Sequence, residues 1–301
     1  MKKVIIIAGP TAVGKTNLGI KLAKKLNTEI ISADSMQIYK QLNIGTAKVT
    51  MEEMNGIRHH LIDIINPDAN YSVQQFKNDA LNIINDLHSA NKIPIIVGGT
   101  GLYIDSLTHD FDFVNVKPNY ELRHKLENIY NKDPNILLKQ VHEISEKYIN
   151  LTLKDKKKII RAIEVYKESG KILNYDRIHN SSDIKYYLYV LSDDREILYK
   201  RINSRVDKMI ENGLVDEVKS LISNGLDSNS QSMKAIGYKE VLLYLNGEYT
   251  LEYMIEKLKQ NSRHYAKRQL TWFRRNELSD WINIEDKSIN DVINYILDKL
   301  N

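Results

Sequence analysis

Gly9-Pro10-Thr11-Ala12-Val13-Gly14-Lys15-Thr16 fits the pattern G-x-x-x-x-G-K-[ST] at every fixed position. The flanking sequence supports it. Val4 to Ala8 is a continuous apolar run, as in a buried parallel strand. After Lys15, the residues Leu18, Leu22 and Leu26 recur at helical spacing, with Ala23 on the same face. Strand, glycine-rich loop and helix together form a phosphate-binding loop. Glycine lets successive N–H groups turn inward, and the helix N-terminus adds partial positive charge. Lys15 brings a formal charge, and Thr16 is the candidate ligand for a magnesium ion. The loop alone leaves open which phosphate compound is held and which bond breaks.

The remaining chain reads as an α/β protein with a parallel sheet. Its 301 residues are 42% hydrophobic and 27% charged, which excludes a disordered chain. No apolar run approaches the ~20 residues of a membrane span. The apolar strand begins at Val4, which leaves no room for a cleaved signal, and cysteine is absent. No thiolate metal site or cysteine nucleophile is possible, and a cytoplasmic location is expected. The net charge of +4 is too small to indicate a polyanion partner without a localised patch.

Glu29-Ile30-Ile31 reads as a second strand, running into Ser32-Ala33-Asp34-Ser35-Met36-Gln37. Ligands of doubly wound sheets bind at such strand ends. Asp34 is the first carboxylate past the phosphate loop at such a position; a catalytic role and a capping role both remain open. Residues 40–58 look irregular, with a turn at Gly45-Thr46 and a capping box at Thr50 and Glu53. His59 to Ile64 is expected to be a strand, whose alternation would split His59 and His60 between faces and disfavour a shared metal. Ser72 and Gln75 open a helix reaching about Ser89. A third buried strand, Ile93 to Val97, leads into Gly98-Gly99-Thr100-Gly101. That turn either lets backbone approach a ligand or another loop, or simply links strand to helix.

From Val114 to Asp183 the strand pattern disappears and helical patterns dominate. The expected organisation is a core of residues 1–113 and 184–301, with an all-helical insertion at 114–183. The insertion carries Lys154-Asp155-Lys156-Lys157-Lys158 and then Arg161, a run that by itself would be a solvated helix face. Beyond it, a long helix holds Arg195, Arg201 and Arg205. Leu251 to Arg275 reads as one helix, whose second half carries Arg263, His264, Lys267, Arg268, Arg274 and Arg275 among aromatic residues. Such a surface suits a polyanion.

These motifs in order closely resemble the tRNA dimethylallyltransferases, also called tRNA isopentenylpyrophosphate transferases. The resemblance runs from Gly9–Thr16 through Asp34–Tyr39, Gly45–Lys48, His59–Asp63, Tyr71–Phe76 and Gly98–Tyr103. It continues in Arg161–Val165, Gly237–Glu240 and Tyr265–Phe273. It implies a P-loop nucleotide-kinase-like fold and transfer of a dimethylallyl group from dimethylallyl pyrophosphate to N6 of adenosine 37 in tRNA. The chain, cysteine-free and without an appended zinc finger, resembles the bacterial form. By this resemblance Asp34 is the general base, and Thr100 and Arg205 act near the reacting centre. Gly9, Pro10, Thr11, Ala12, Val13, Gly14, Lys15 and Thr16 bind pyrophosphate, with Mg2+ on Thr16. The tRNA anticodon stem-loop is expected to meet Asp34, Ser35, Met36, Gln37, Thr100, Arg123, Lys158, Arg161, Lys234, Gly237, Tyr238, Lys239, Lys267 and Arg268. A monomer is expected. Three other classes compete: an ATP-dependent phosphoryl-transfer kinase, a prenyltransferase acting on free AMP, and a non-catalytic RNA-binding module. AMP needs neither the insertion nor the basic helix, and an RNA-binding module needs no Asp34 beside a phosphate loop.

Overall fold

In the computed structural model the described residues are 1–110, 114, 116–174, 178–179 and 183–300. The chain begins β1 (Lys2–Ala8), α1 (Lys15–Leu26), β2 (Ile30–Ala33), α2 (Met51–Met54), β3 (His59–His60), α3 (Val73–Ser89), β4 (Ile95–Gly98) and α4 (Gly101–Thr108). It continues with β5 (His109–Asp110), α5 (Tyr120–Lys132), α6 (Pro134–Ile144), α7 (Lys156–Ser169), β6 (Ile178–His179) and β7 (Ile184–Ser192). The last elements are α8 (Arg195–Glu211), α9 (Leu214–Ser223), α10 (Tyr238–Leu245), α11 (Leu251–Phe273), β8 (Ser279–Asn283) and α12 (Ile289–Asp298). Among the described residues no helix is long and apolar enough to cross a membrane.

The chain divides into two compact units, residues 1–108 with 181–301, and residues 109–180. The first unit is built on a sheet of order β3-β2-β4-β1-β7-β8, with every pair parallel. Alternation along β1 explains why the sheet is buried on both faces. Val4, Ile6 and Ala8 enter one core with Phe76, Ile104, Val218 and Phe273, while Ile5 and Ile7 enter the other with Leu22, Ile202 and Ile296. Register sets the site. Ala8 pairs with Gly98, and Gly98 pairs with Ala33, so β1, β4 and β2 end level with one another. The phosphate loop, Asp34 and the Gly98–Gly101 turn therefore leave the sheet side by side, where strand order reverses and ligands bind.

The expected strand from His59 to Ile64 is shorter. Only His59 and His60 pair with β2, because Leu61 (φ 61°) and Asp63 (φ 56°) turn the chain left-handed. The Lys48 ammonium holds this corner, donating to the Asp63 carboxylate and to Tyr39 O.

The second unit packs α5, α6 and α7 around Leu126, Leu137, Val141, Tyr148 and Ile163. Asn119 caps α5, and Asp133 caps α6 with Pro134 at its first position. Its ends carry a short antiparallel ladder, β5 with β6, so the unit is not all-helical. Two-residue strands are too short to leave a periodic signal, and the expected span of 114–183 both starts and ends a few residues later than this unit. The buried Glu164 organises this unit. Its carboxylate accepts from Arg123 Nε and Nη2, from Arg161 Nη1 and from the Asn119 N–H, at 2.6–2.9 Å. Burial would raise its pKa, but these bonds hold it below the ordinary carboxylate value.

Candidate active site

A cavity of about 600 Å³ lies at the aligned strand ends of the first unit. Its polar groups include Lys15, Thr16, Asp34 and Arg205, set among Ile30, Val49, Ile62, Val97, Ile202 and Met209. An apolar wall with a few convergent charges is the usual build of a small-molecule site.

The phosphate loop is shaped by its backbone. Gly9 has φ +142°, and a Cβ there would sit 2.7 Å from Leu191 O, so no other residue fits. Gly14 (φ 96°) precedes α1 without a side-chain cap, leaving the first N–H groups of that helix for an anion. Thr11, Lys15 and Thr16 line the cavity. Val13 is 1% exposed and packs into the core, so it offers the site backbone alone. The Lys15 ammonium donates to Pro10 O at 2.6 Å. Burial, and then the charge of Arg205, push the Lys15 pKa down to about 7, against the pull of Asp34. Burial likewise lowers the Arg205 pKa, opposed by Asp34 and Glu53.

Two desolvated cations facing one cavity create a demand for an anion. A pyrophosphate bound there returns Lys15 to its charged form, so binding takes up a proton wherever the free lysine is neutral. Uptake is expected to approach about one proton above pH ~8 and to vanish below about 6, since the free-state pKa is near 7. Titration calorimetry in buffers of different ionisation enthalpy measures it. Lys15→Arg, whose guanidinium keeps its charge, should show no such uptake. Equal uptake in both proteins would remove Lys15 as its source.

Asp34 takes the capping role left open, and it also lines the cavity. Its Oδ1 accepts from Met36 N at 2.9 Å and Gln37 N at 3.3 Å, capping a turn that does not become a helix. One oxygen is thereby fixed, which orients the carboxylate at the cavity. Thr100 Oγ1 accepts from Ser35 N at 3.0 Å. Ser35, Met36 and Gln37 line the cavity; Thr100 stands behind them, one hydrogen bond away. The Gly98–Gly101 turn does approach another element closely. A Cβ on Gly99 would be 2.1 Å from Gln269 Nε2, and one on Gly101 would be 2.2 Å from the Trp272 ring.

The wall formed by Gly45, Thr46 and Ala47 is held from behind by Glu217. Its carboxylate accepts from the N–H groups of Asn43, Ile44 and Gly45 and from the Tyr238 hydroxyl, at 2.6–3.1 Å. Thr46 O in turn accepts from Arg205 at 3.4 Å and Gln37 at 3.3 Å.

Several expected tRNA contacts are corrected by this geometry. Tyr238 is 0% exposed, with a pKa raised by burial and by Glu217; it is a core residue locking the Gly45 turn. Gly237 is also buried, and its N–H donates to Glu240 at 2.7 Å. Lys239 is exposed, and Lys234 is exposed and lines the cavity. Arg123 and Arg161 are both committed to Glu164, so neither is a free surface charge. Lys158 is exposed on α7. On α11, Lys267 and Arg268 are exposed, as are Arg274 and Arg275 just past its end, while Arg263 is half-buried against Asn203. Arg268 also lines the cavity, 5.6 Å over the Tyr265 ring, so it is not purely a surface charge.

Sequence reading missed Glu217 and assigned no role to Tyr265 or Gln269. Tyr265 and Gln269 lie within the motif Tyr265–Phe273, four apart and thus on one helix face, which was the available signal. Nothing in the spacing of Glu217 marks it, since its three backbone partners lie more than 170 residues earlier.

The family model "IPP transferase" matches residues 37–276. A curated tRNA dimethylallyltransferase from Finegoldia magna is 49% identical over 293 residues, covering 95% of this chain and 92% of that protein. A tRNA isopentenylpyrophosphate transferase structure from Bacillus halodurans is 41% identical with a TM-score of 0.76, covering 100% of this chain and 97% of that one. A eukaryotic dimethylallyltransferase acting on tRNA is 31% identical with a TM-score of 0.78, covering 95% of this chain and 75% of that one. With the family model matching residues 37–276 and a relative 49% identical across 95% of the chain, this protein belongs to the IPP transferase family.

Proposed function

We propose that the protein transfers a dimethylallyl group from dimethylallyl pyrophosphate to N6 of adenosine 37 in tRNA, releasing pyrophosphate. The observation that carries this reading is one cavity in which Lys15, Arg205 and the Asp34 carboxylate face an apolar wall. The cations suit a leaving pyrophosphate, the carboxylate suits a proton acceptor, and the wall suits a five-carbon allyl group. The names of the relatives supply the acceptor, tRNA.

The allylic C–O bond breaks, and its electron pair leaves with the pyrophosphate. Lys15, Arg205 and the loop N–H groups stabilise the charge that develops on those oxygens. The N6–C bond forms, and the N6 proton passes to the Asp34 carboxylate, whose Oδ1 is already fixed by two N–H bonds. Thr100 acts by holding the Ser35 backbone beside Asp34. The adenine must leave its stack to reach the cavity.

Among the described residues no group of three or more His, Cys, Asp or Glu is placed to hold a metal. The donor set instead suits magnesium carried on pyrophosphate, which needs few protein oxygens and keeps its waters. The Thr16 hydroxyl, at the cavity wall, would hold it. There the ion would neutralise charge on the leaving group.

The tRNA backbone is gripped by α11 and by the exposed lysines of the second unit, Lys154, Lys157 and Lys158. We read the working unit as a cytoplasmic monomer. Because Arg268 serves the cavity, Lys267 on α11 and Arg274 at its C-cap are the better probes of backbone binding. Lys267→Ala with Arg274→Ala should weaken all substrate tRNAs alike. It should also flatten log affinity against log salt by about 0.7–0.9 for each phosphate that is no longer neutralised. Parallel lines for the variant and the wild type would remove this face of α11 from the interface.

Labelled dimethylallyl pyrophosphate offered with tRNA, with AMP or with neither, and ATP in parallel, tests the reading. Label should enter tRNA alone. Label in AMP, or ATP consumption without label transfer, would replace it.

A further inference from the structure

Three loops leave the sheet side by side, and one buried amide joins them. Gln269 on α11 is 5% exposed. Its Oε1 accepts from Thr11 N at 2.8 Å, and its Nε2 donates to Gly99 O at 2.9 Å. Thr11 N–H can only donate and Gly99 C=O can only accept, so a single orientation of the amide satisfies both. The Tyr265 hydroxyl, one turn earlier on α11, faces the Gln269 side chain and Thr100. Thr100, next to Gly99 in the chain, takes the Ser35 N–H beside Asp34. The result is a continuous belt from the phosphate loop, through Gln269 and the Gly99-Thr100 turn, to the loop that carries Asp34.

We propose that Gln269 is a positioning residue, setting the pose of the phosphate loop against the Gly98–Gly101 turn and so its grip on pyrophosphate. The inference rests on the reading of the cavity as a prenyl pyrophosphate site. Thr11 lines that cavity, and its N–H is the one held. The loop cannot move toward or away from Asp34 without breaking the Gln269 bonds. Substitution leaves a buried N–H and a buried carbonyl without partners, a loss on the scale of about 10-fold or more in an equilibrium constant. Glutamate is worse than an apolar isostere. It places a carboxylate against Gly99 O and adds negative charge beside the bound anion.

The probe is inorganic pyrophosphate, titrated calorimetrically into wild type, Gln269→Met, Gln269→Glu and Tyr265→Phe, with melting temperature measured in parallel. Pyrophosphate affinity is expected to fall about 10-fold in Gln269→Met and further in Gln269→Glu. The KM for dimethylallyl pyrophosphate should rise in step, and the affinity for tRNA should stay unchanged. Tyr265→Phe removes the hydroxyl beside the amide while leaving both amide hydrogen bonds, so it should show a smaller loss of the same kind. It keeps the test decisive if the Gln269 variants do not fold: an unchanged pyrophosphate affinity in folded Tyr265→Phe would then overturn the proposal. Unchanged or tighter pyrophosphate binding in a folded Gln269→Met, or a lowered melting temperature as its sole effect, would overturn the proposal. Failure of the wild type to prenylate tRNA would instead strike the functional reading, while pyrophosphate binding still reports on Gln269.

Discussion

Asp34→Asn is expected to fold, to bind both substrates, and to turn over about 10²–10⁴-fold more slowly than wild type. The substitution separates the two roles of the residue. An asparagine carbonyl oxygen can still accept from Met36 N and Gln37 N, the bonds that cap the turn. The amide nitrogen that replaces the second oxygen cannot take a proton from N6. Melting temperature and affinities should therefore stay near wild type while single-turnover prenylation collapses. A variant within a few-fold of the wild-type rate would leave Asp34 as a turn cap and send the search for the base elsewhere in the cavity.

Lys15→Ala is expected to cost about 10²–10³ in turnover, the scale seen when a preorganised donor to developing negative charge is removed. The loss should fall on pyrophosphate and not on tRNA. Lys15 is a desolvated cation beside Arg205, with its pKa at about 7. Its removal relieves repulsion in the empty protein, so the melting temperature should hold or rise. Collapse of tRNA affinity with normal turnover of bound tRNA would contradict this assignment.

Much of the fold could be read from local pattern. The phosphate loop follows β1 and precedes α1, as strand, loop and helix periodicity require. The capping boxes at Thr50, Ser72 and Ser288 each open a helix. What local pattern could not supply was register. Only the pairing of Ala8, Gly98 and Ala33 brings the three loops level, and that pairing depends on residues far apart in sequence. The strand expected beyond His60 failed because Leu61 and Asp63 adopt positive φ, which their residue types do not announce. Tyr238 and Gly237 shared a motif with exposed Lys239, and their burial depends on Glu217 and Glu240. Arg123 and Arg161 looked like surface charge, and a buried Glu164 has claimed both. In the last two cases the deciding partner was a carboxylate whose position in three dimensions no periodicity reveals.

The central claim is that this one cavity joins an allyl group to an adenine of tRNA. Its most direct measurement uses an unmodified tRNA transcript, dimethylallyl pyrophosphate and magnesium, followed by nuclease digestion and mass spectrometry of the fragments. One dimethylallyl group is expected on the adenosine beside the anticodon, with released pyrophosphate matching it mole for mole and no nucleoside triphosphate required. An unchanged transcript, or a dimethylallyl group at some other position, would contradict it.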